Sequence, residues 1–127
     1  MGKCLTLKSG PEIDLPIVVF GALGICCHVV RAELLPAIAP HLASVASFAL
    51  HAEVGQHFYW QISNIETGRR ICGSGIYVVR DDIIKAAQYR LAGVTADTIL
   101  KAMAACVPLN SLASNLAGPD TYDSSVI

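Results

Sequence analysis

Charged and aromatic side chains are scarce in this sequence of 127 residues. Charged residues make up 15% of it and aromatic residues 6%, with a single tryptophan; an average domain is about one quarter charged. Hydrophobic residues make up 54%, so few polar side chains remain to cover the surface. We therefore expect some apolar surface to be buried against a partner or against a second copy of the chain.

The sequence also has no recognisable signal for secretion or for a membrane span. Its five cysteines are odd in number and irregularly spaced, and no positively charged segment precedes a hydrophobic stretch, which argues against a secreted, disulfide-bonded protein. The apolar run from Pro16 to Val30 is shorter than the roughly twenty residues that a transmembrane helix needs. The expected location is the cytoplasm, without a membrane span.

The N-terminus matches a short lipidation pattern. Gly2 is placed as an acceptor for N-myristoylation, with Thr6 at the required distance, and Cys4 could take a second acyl chain. Two lipids would anchor the protein stably, whereas one would not. The alternative is an initiating methionine followed by a short first strand from Cys4 to Leu7.

We interpret the apolar run from Ile17 to Val30 as a buried helix. Asp14 suits its N-cap, Pro16 suits its first turn and Pro36 interrupts it. Three small residues in this helix would let a neighbour approach closely: Gly21, Ala22 and Gly24. The helix therefore forms either the core of the domain or a seam between two copies. The β-branched residues at positions 17–19 leave open a short strand followed by a helix from near Gly21.

After position 47 the apolar pattern changes to a period of two, which is typical of half-buried strands. Apolar residues alternate from Phe48 to Val54 and again from Phe58 to Ile62. Matching the two apolar sets requires an odd-length loop, Gly55-Gln56-His57, because a slip of one residue would turn every side chain to the other face. A second turn at Glu66-Thr67-Gly68 leads into a third strand. The pattern predicts a three-stranded antiparallel meander.

Two helices are predicted after the meander. Asp81 or Asp82 caps the first helix, which Gly93 ends, and Thr95 caps the second helix. The predicted fold is therefore α+β: a buried N-terminal helix, the three-stranded antiparallel meander, and two C-terminal helices packed on the sheet. We expect a single domain over residues 1–118 and a flexible C-terminal tail over residues 119–127.

The segment from Ala86 to Ala102 resembles the helix-turn-helix of bacterial repressors. Two helices are joined by Gly93-Val94-Thr95, and Ile99 would face the first helix. The resemblance implies DNA binding through residues 95–103. The sequence departs from the family at Tyr89, where a small residue is usual, and the second helix offers no arginine for guanine edges. An ordinary helical hairpin packed on a sheet is the alternative.

No motif in the sequence is specific for catalysis, for a cofactor or for a metal ion. The adjacent Cys26 and Cys27 do not form the Cys-x-x-Cys motif of zinc and redox sites. We expect no cofactor and no metal, although Cys72, Cys106 and a histidine could still meet in space. A second alternative is a small-molecule or enzymatic site formed by His51, Glu53 and Cys72. The alternation places His51 and Glu53 on the face of the strand opposite its apolar residues, so we expect His51 to be exposed.

Basic residues are concentrated in the C-terminal half, where six of the nine lie between positions 69 and 101. We expect a small non-enzymatic binding or regulatory protein, such as an inhibitor or adaptor of the kind that mobile elements carry. It would act through a protein interface and form a homo-oligomer, with a helix-turn-helix-like DNA-binding regulator as the main alternative. Four arginines and two tyrosines form the expected partner-binding surface: Arg69, Arg70, Tyr77, Arg80, Tyr89 and Arg90.

Overall fold

A computed structural model describes residues 10–21, 24–73 and 75–114. It contains six strands and two α-helices in this order: β1 (Glu12–Gly21), β2 (Gly24–Leu34), β3 (Phe48–Glu53), β4 (Gln56–Asn64), β5 (Arg70–Cys72), α1 (Arg80–Ala92), α2 (Ala96–Ala104) and β6 (Ala113–Ser114). The first five strands are neighbours in chain order, and β6 pairs with β2 in parallel. The proposed lipidation site at Gly2 and Cys4 and the predicted tail at 119–127 lie outside the described residues.

The N-terminal apolar segment is a β-hairpin, so the predicted buried helix is wrong. β1 and β2 pair antiparallel along their whole lengths, which also removes the alternative of a helix beginning near Gly21. Leu15, Ile17 and Val19 are buried, whereas the intervening residues are more exposed. This period of two, with β-branched residues that favour extended backbone, determines the structure. Asp14 is not a helix cap but lies within β1, where it accepts a hydrogen bond from Arg31 at 3.1 Å.

Pro16 lies within β1 because β1 is the edge of the sheet. The backbone N–H of Val18 points away from β2 and donates to Gly68 O at 2.9 Å. Backbone groups alternate along a strand, so the nitrogen of Pro16, two residues earlier, points the same way. The proline therefore removes no hydrogen bond between β1 and β2.

The hydrogen bond between Val18 N and Gly68 O also shows that the sheet curls until β1 meets the turn between β4 and β5. Gly68 in that turn has a φ of 68°, which side chains with a Cβ rarely adopt. A Cβ on Gly68 would lie 2.8 Å from Pro16 O and 3.0 Å from Ile17 Cα. Only glycine allows the turn and β1 to approach this closely.

β3, in the middle of the sheet, is buried on both faces. On the outer face a large cluster joins β3 and β4 to α1, and its fully buried members include Leu50, Ile62 and Ile83. On the inner face a second cluster fills the space between the hairpin and β3: Leu15, Ile17, Val19, Val30, Ala32 and Ala49. Ala49 and Leu50 are neighbours in β3, yet they lie in different clusters.

The sheet has five antiparallel strands in its main path, so the predicted three-stranded meander is also wrong. β3, β4 and β5 do occur in the region where the three strands are predicted. The pairs Leu50–Ile62 and Ala52–Trp60 have the register that the predicted three-residue loop Gly55-Gln56-His57 would give. A bulge between Ala52 and Glu53 then shifts the register, so the strands are joined by a two-residue turn. β1 and β2, which the prediction assigns to a helix, are the two strands absent from the predicted meander.

Both C-terminal helices follow the sheet. Thr95 caps α2, since its side-chain oxygen accepts from Thr98 N at 3.1 Å. Asp81 and Asp82 do not cap α1, whose N-cap is Val79. They occupy its first turn, where negative charge interacts favourably with the helix dipole.

Among the described residues no single helix has the length and apolarity to cross a membrane. Segments 80–92 and 96–111 reach that length and apolarity only when they are taken together as a bent pair.

Candidate functional site

Two of the six residues predicted to bind a partner lie together on a shallow groove. Tyr77 and Tyr89 line this groove, which we call the tyrosine groove, beside α1. Its volume is about 520 Å³, and its other lining residues are Ile76, Asp82, Lys85 and Ala86. Tyr89 is 87% exposed and Ile76 is 66% exposed. Apolar side chains with this exposure on one surface are a feature of interaction sites.

The exposed apolar surface continues beyond the groove. Val78 and Val79, which connect Tyr77 to α1, are both more than half exposed. Trp60 N donates to Tyr77 O at 2.8 Å, so the chain at 76–79 runs beside β4, whose Phe58 is 80% exposed. The apolar surface therefore spans the end of β4 and the entry to α1.

Tyr77 connects the groove to the core. The neighbouring Cys72 thiol raises the pKa of the Tyr77 hydroxyl, partial burial adds to this rise, and the charge of Arg90 opposes it. Arg90 is thus close enough to the groove to act on Tyr77, and its own side chain is exposed. The groove places two tyrosines next to a cationic side chain from the predicted set.

The other arginines of the predicted set lie elsewhere. Arg80 is held by Glu33, with 2.6 Å between its Nη2 and the carboxylate. Arg69 and Arg70 line a cleft beside β1 and not the tyrosine groove. The six residues therefore do not form one continuous surface, and partner binding by each of them stays a prediction.

The residues predicted to form an oligomer seam flank a turn. Gly21 ends β1 and Gly24 begins β2, and Ala22 lies outside the described residues. The argument for a seam required a helix whose small residues let a second helix approach, and no helix is formed here. Homo-oligomer formation stays a prediction without this support.

A buried chain of hydrogen bonds crosses the inner face of the sheet. Gln61 Nε2 donates to Ser63 Oγ at 2.9 Å, and Ser63 Oγ lies 2.8 Å from His51 Nε2. His51 Nδ1 lies 2.8 Å from Ala52 O, a carbonyl that can only accept, so Nδ1 carries the proton and Nε2 accepts from Ser63. Each group in this chain has a partner suited to it.

The prediction that His51 is exposed is wrong. Its side chain is 1% exposed because the curled hairpin covers the face that was expected to meet solvent. Burial lowers its pKa to about 4, although the hydrogen bond to Ala52 O opposes the shift. A serine next to a neutral histidine has the form of a nucleophile and its base, but Ser63 is also fully buried and closed to substrate.

The small-molecule site proposed from His51, Glu53 and Cys72 is only partly assembled. Glu53 follows His51 on the inner side of the sheet and accepts a hydrogen bond from Gly75 N at 2.7 Å. Cys72 belongs to the outer cluster, so the sheet separates its thiol from the two other side chains. A second histidine on the inner face, His28, is fully buried opposite Ile17.

Within the described ranges no group of three or more His, Cys, Asp or Glu side chains is arranged to hold a metal ion. The four cysteines in these ranges are all free thiols: Cys26, Cys27, Cys72 and Cys106. A site assembled from Cys72, Cys106 and a histidine is therefore not formed in this part of the chain.

The segment that resembles a helix-turn-helix forms two helices. The chain bends by 101° between segments 80–92 and 96–111, which contain them, and this bend lies within the range of that motif. Tyr89 points to solvent, so its size does not keep the helices apart. Lys101, which would face DNA, lies 3.3 Å from the carboxylate of Asp97 one turn earlier. This pairing reduces the positive charge that α2 can offer to phosphates.

Comparison of the chain with protein-family models, with curated proteins and with solved structures found no match.

Proposed function

We propose that this chain is a non-enzymatic binding protein whose tyrosine groove takes a segment of another protein. The observation that carries the proposal is the exposed apolar surface at the groove, where Tyr89 is 87% and Ile76 66% exposed. Leaving large apolar side chains in water costs about 25 cal/mol per Å² relative to burying them. A partner that covers this surface removes that cost.

The side chains of the groove favour a particular chemistry in the partner. Tyr77 and Tyr89 each offer a large apolar ring and one hydroxyl, the combination that is common where binding energy concentrates. Lys85 lines the groove and Arg90 acts on Tyr77, whereas Asp82 is the one carboxylate in the lining. The fitting partner segment has an apolar anchor side chain flanked by acidic residues.

Affinity capture with the full-length chain tests the proposal when matched variants are compared. Wild type and a control, Leu100→Asp, which changes an exposed apolar residue of α2, should retain the same protein. Tyr89→Asp and Ile76→Asp should lose it. With the purified partner, Tyr89→Ala should weaken binding by about 2 kcal/mol, and Lys85→Glu should reduce the dependence of affinity on salt.

Two results would contradict the proposal. The first is retention of the same protein by wild type and by both groove variants. The second is a wild-type chain that forms dimers which Tyr89→Asp dissociates, because the groove would then be occupied by a second copy.

DNA binding by the two helices is the second candidate, and the 101° bend between segments 80–92 and 96–111 favours it. α2 is mostly exposed, with only Ile99 buried among its residues. Retention of the protein on duplex DNA that falls steeply with salt, and that Lys101→Glu abolishes, would favour this function over protein binding. No retention at low salt would remove it.

A further inference from the structure

A second cavity, the arginine cleft, lies between β1 and the β3–β4 hairpin. Its volume is about 380 Å³, within the lower range of small-molecule sites. Its lining combines apolar residues of β1 and the hairpin with four polar side chains: Ile17, Val18, Val19, Val54, Glu53, Gln61, Arg69 and Arg70.

Arg69 is the residue that most directly indicates a ligand. Its Nε is buried, and within the described residues no hydrogen-bond acceptor reaches it. A buried guanidinium N–H without an acceptor is costly, and a carboxylate is the acceptor whose geometry fits it best. Arg70 follows directly and is exposed. Neither arginine forms a salt bridge within the described ranges, so both charges are available to the cleft.

The rest of the lining limits the ligand. Val19 and Val54 provide an apolar wall, which suits a branched hydrocarbon body better than a sugar or a bare inorganic ion. Glu53 contributes one negative charge to the same lining. That charge disfavours a dianion such as phosphate and leaves a net positive charge that a single carboxylate can neutralise.

We propose that the arginine cleft binds a small organic monoanion, a carboxylate with a branched apolar body, through Arg69 and Arg70. The carboxylate accepts from Arg69 Nε and from the adjacent guanidinium groups, and the hydrocarbon body lies against Val19 and Val54. This site is separate from the tyrosine groove and does not depend on the function proposed for it.

Titration of the full chain with 3-methylbutanoate, followed by NMR, tests this proposal. The Nε–H resonance of Arg69 should shift and saturate. The neutral isostere 3-methylbutanamide should leave it unchanged, because the amide keeps the shape of the ligand and removes its charge. Acetate should bind more weakly than 3-methylbutanoate, since it lacks the apolar body, and phosphate should not compete.

Matched variants identify the groups responsible. With the backbone amide resonances of the cleft residues as the readout, Arg69→Gln should weaken binding at least about tenfold, as expected for the loss of a charge-assisted hydrogen bond. Arg90→Gln, on the other side of the sheet, should leave affinity unchanged. Arg70→Gln, at an exposed position, provides a second test if Arg69→Gln does not fold. The proposal is overturned if the carboxylate causes no saturable shift, if the amide or phosphate binds equally well, or if both cleft variants bind like wild type.

Discussion

Ser63 joins two buried polar side chains that have few other ways to be satisfied. It donates to His51 Nε2 and accepts from Gln61 Nε2, and its side chain is fully buried. Removing one member of such a chain leaves the others buried without a partner, which costs more than the bond itself contributes.

Ser63→Ala should therefore lower the free energy of unfolding by about 1–3 kcal/mol. The substitution removes only one oxygen, so lost packing contributes little to this change. Urea denaturation measures the effect, with Ser44→Ala, at an exposed position, as the control. A loss equal to that of the control would show that the hydrogen-bond chain does not contribute to stability.

His51 should make the fold sensitive to acid. Its pKa falls from the ordinary 6.5 to about 4 on folding, so between these values the unfolded chain binds a proton that the folded chain excludes. Its stabilising contribution is complete above the unfolded pKa and is lost as the pH falls towards 4. At about 1.4 kcal/mol per pKa unit, the loss is about 3 kcal/mol.

Urea denaturation at several pH values between about 7 and 4 measures this loss. The pH dependence of wild type should exceed that of His51→Gln, which cannot titrate at this position. All other titratable groups contribute equally to both proteins, so the difference between the two pH dependences isolates His51. Equal slopes for the two proteins would contradict the assignment.

The sequence predicted the face of the strand on which His51 lies but not its environment. The alternation correctly placed His51 with Glu53, opposite Leu50 and Ala52. Whether that face meets water depends on the hairpin folded over it, and the sequence pattern predicts a helix in place of that hairpin. A correct local pattern thus led to a wrong exposure because burial depends on distant segments.

The turn between β4 and β5 closes the curl of the sheet. Gly68→Ala would place a Cβ 2.8 Å from Pro16 O at a backbone φ of 68°. Both backbone strain and steric overlap oppose it, so the free energy of unfolding should fall by at least about 2 kcal/mol.

Gly93→Ala is the matched control for this substitution, since a Cβ there meets nothing within 4 Å. At the end of α1 its φ is −94°, so alanine should leave stability unchanged or raise it by roughly 0.4–1 kcal/mol. Similar effects of the two substitutions in thermal denaturation would show that the turn does not hold β1 in place.

The strands of the hairpin were harder to predict than those that follow them. In β3 and β4 the polar residues alternate with apolar ones. In β1 and β2 the outward-facing residues include Val18, Val29 and Ile25, so the segment is apolar on both faces. A continuous apolar run of this kind fits a buried helix as well as a strand, and only the β-branched residues favoured the strand.

The two clusters on opposite faces of the sheet should unfold together. β3 contributes Leu50 to the outer cluster and Ala49 to the inner cluster, so neither cluster can lose its strand without exposing the other. The single tryptophan, Trp60, packs against the outer cluster alone. Its fluorescence therefore reports on one face, whereas far-ultraviolet circular dichroism reports on all strands.

Ile17→Ala changes only the inner cluster and should still shift the unfolding transition of Trp60. The expected loss is about 2–5 kcal/mol for a buried isoleucine, and the fluorescence and dichroism transitions should coincide before and after the substitution. Ile25→Ala, at a position 42% exposed in β2, should shift neither transition appreciably. If Ile17→Ala moved the dichroism transition and left that of Trp60 in place, the hairpin would unfold as a separate unit. Since the hairpin forms one side of the arginine cleft and the tyrosine groove lies on the other face of the sheet, that result would also separate the stabilities of the two proposed binding sites.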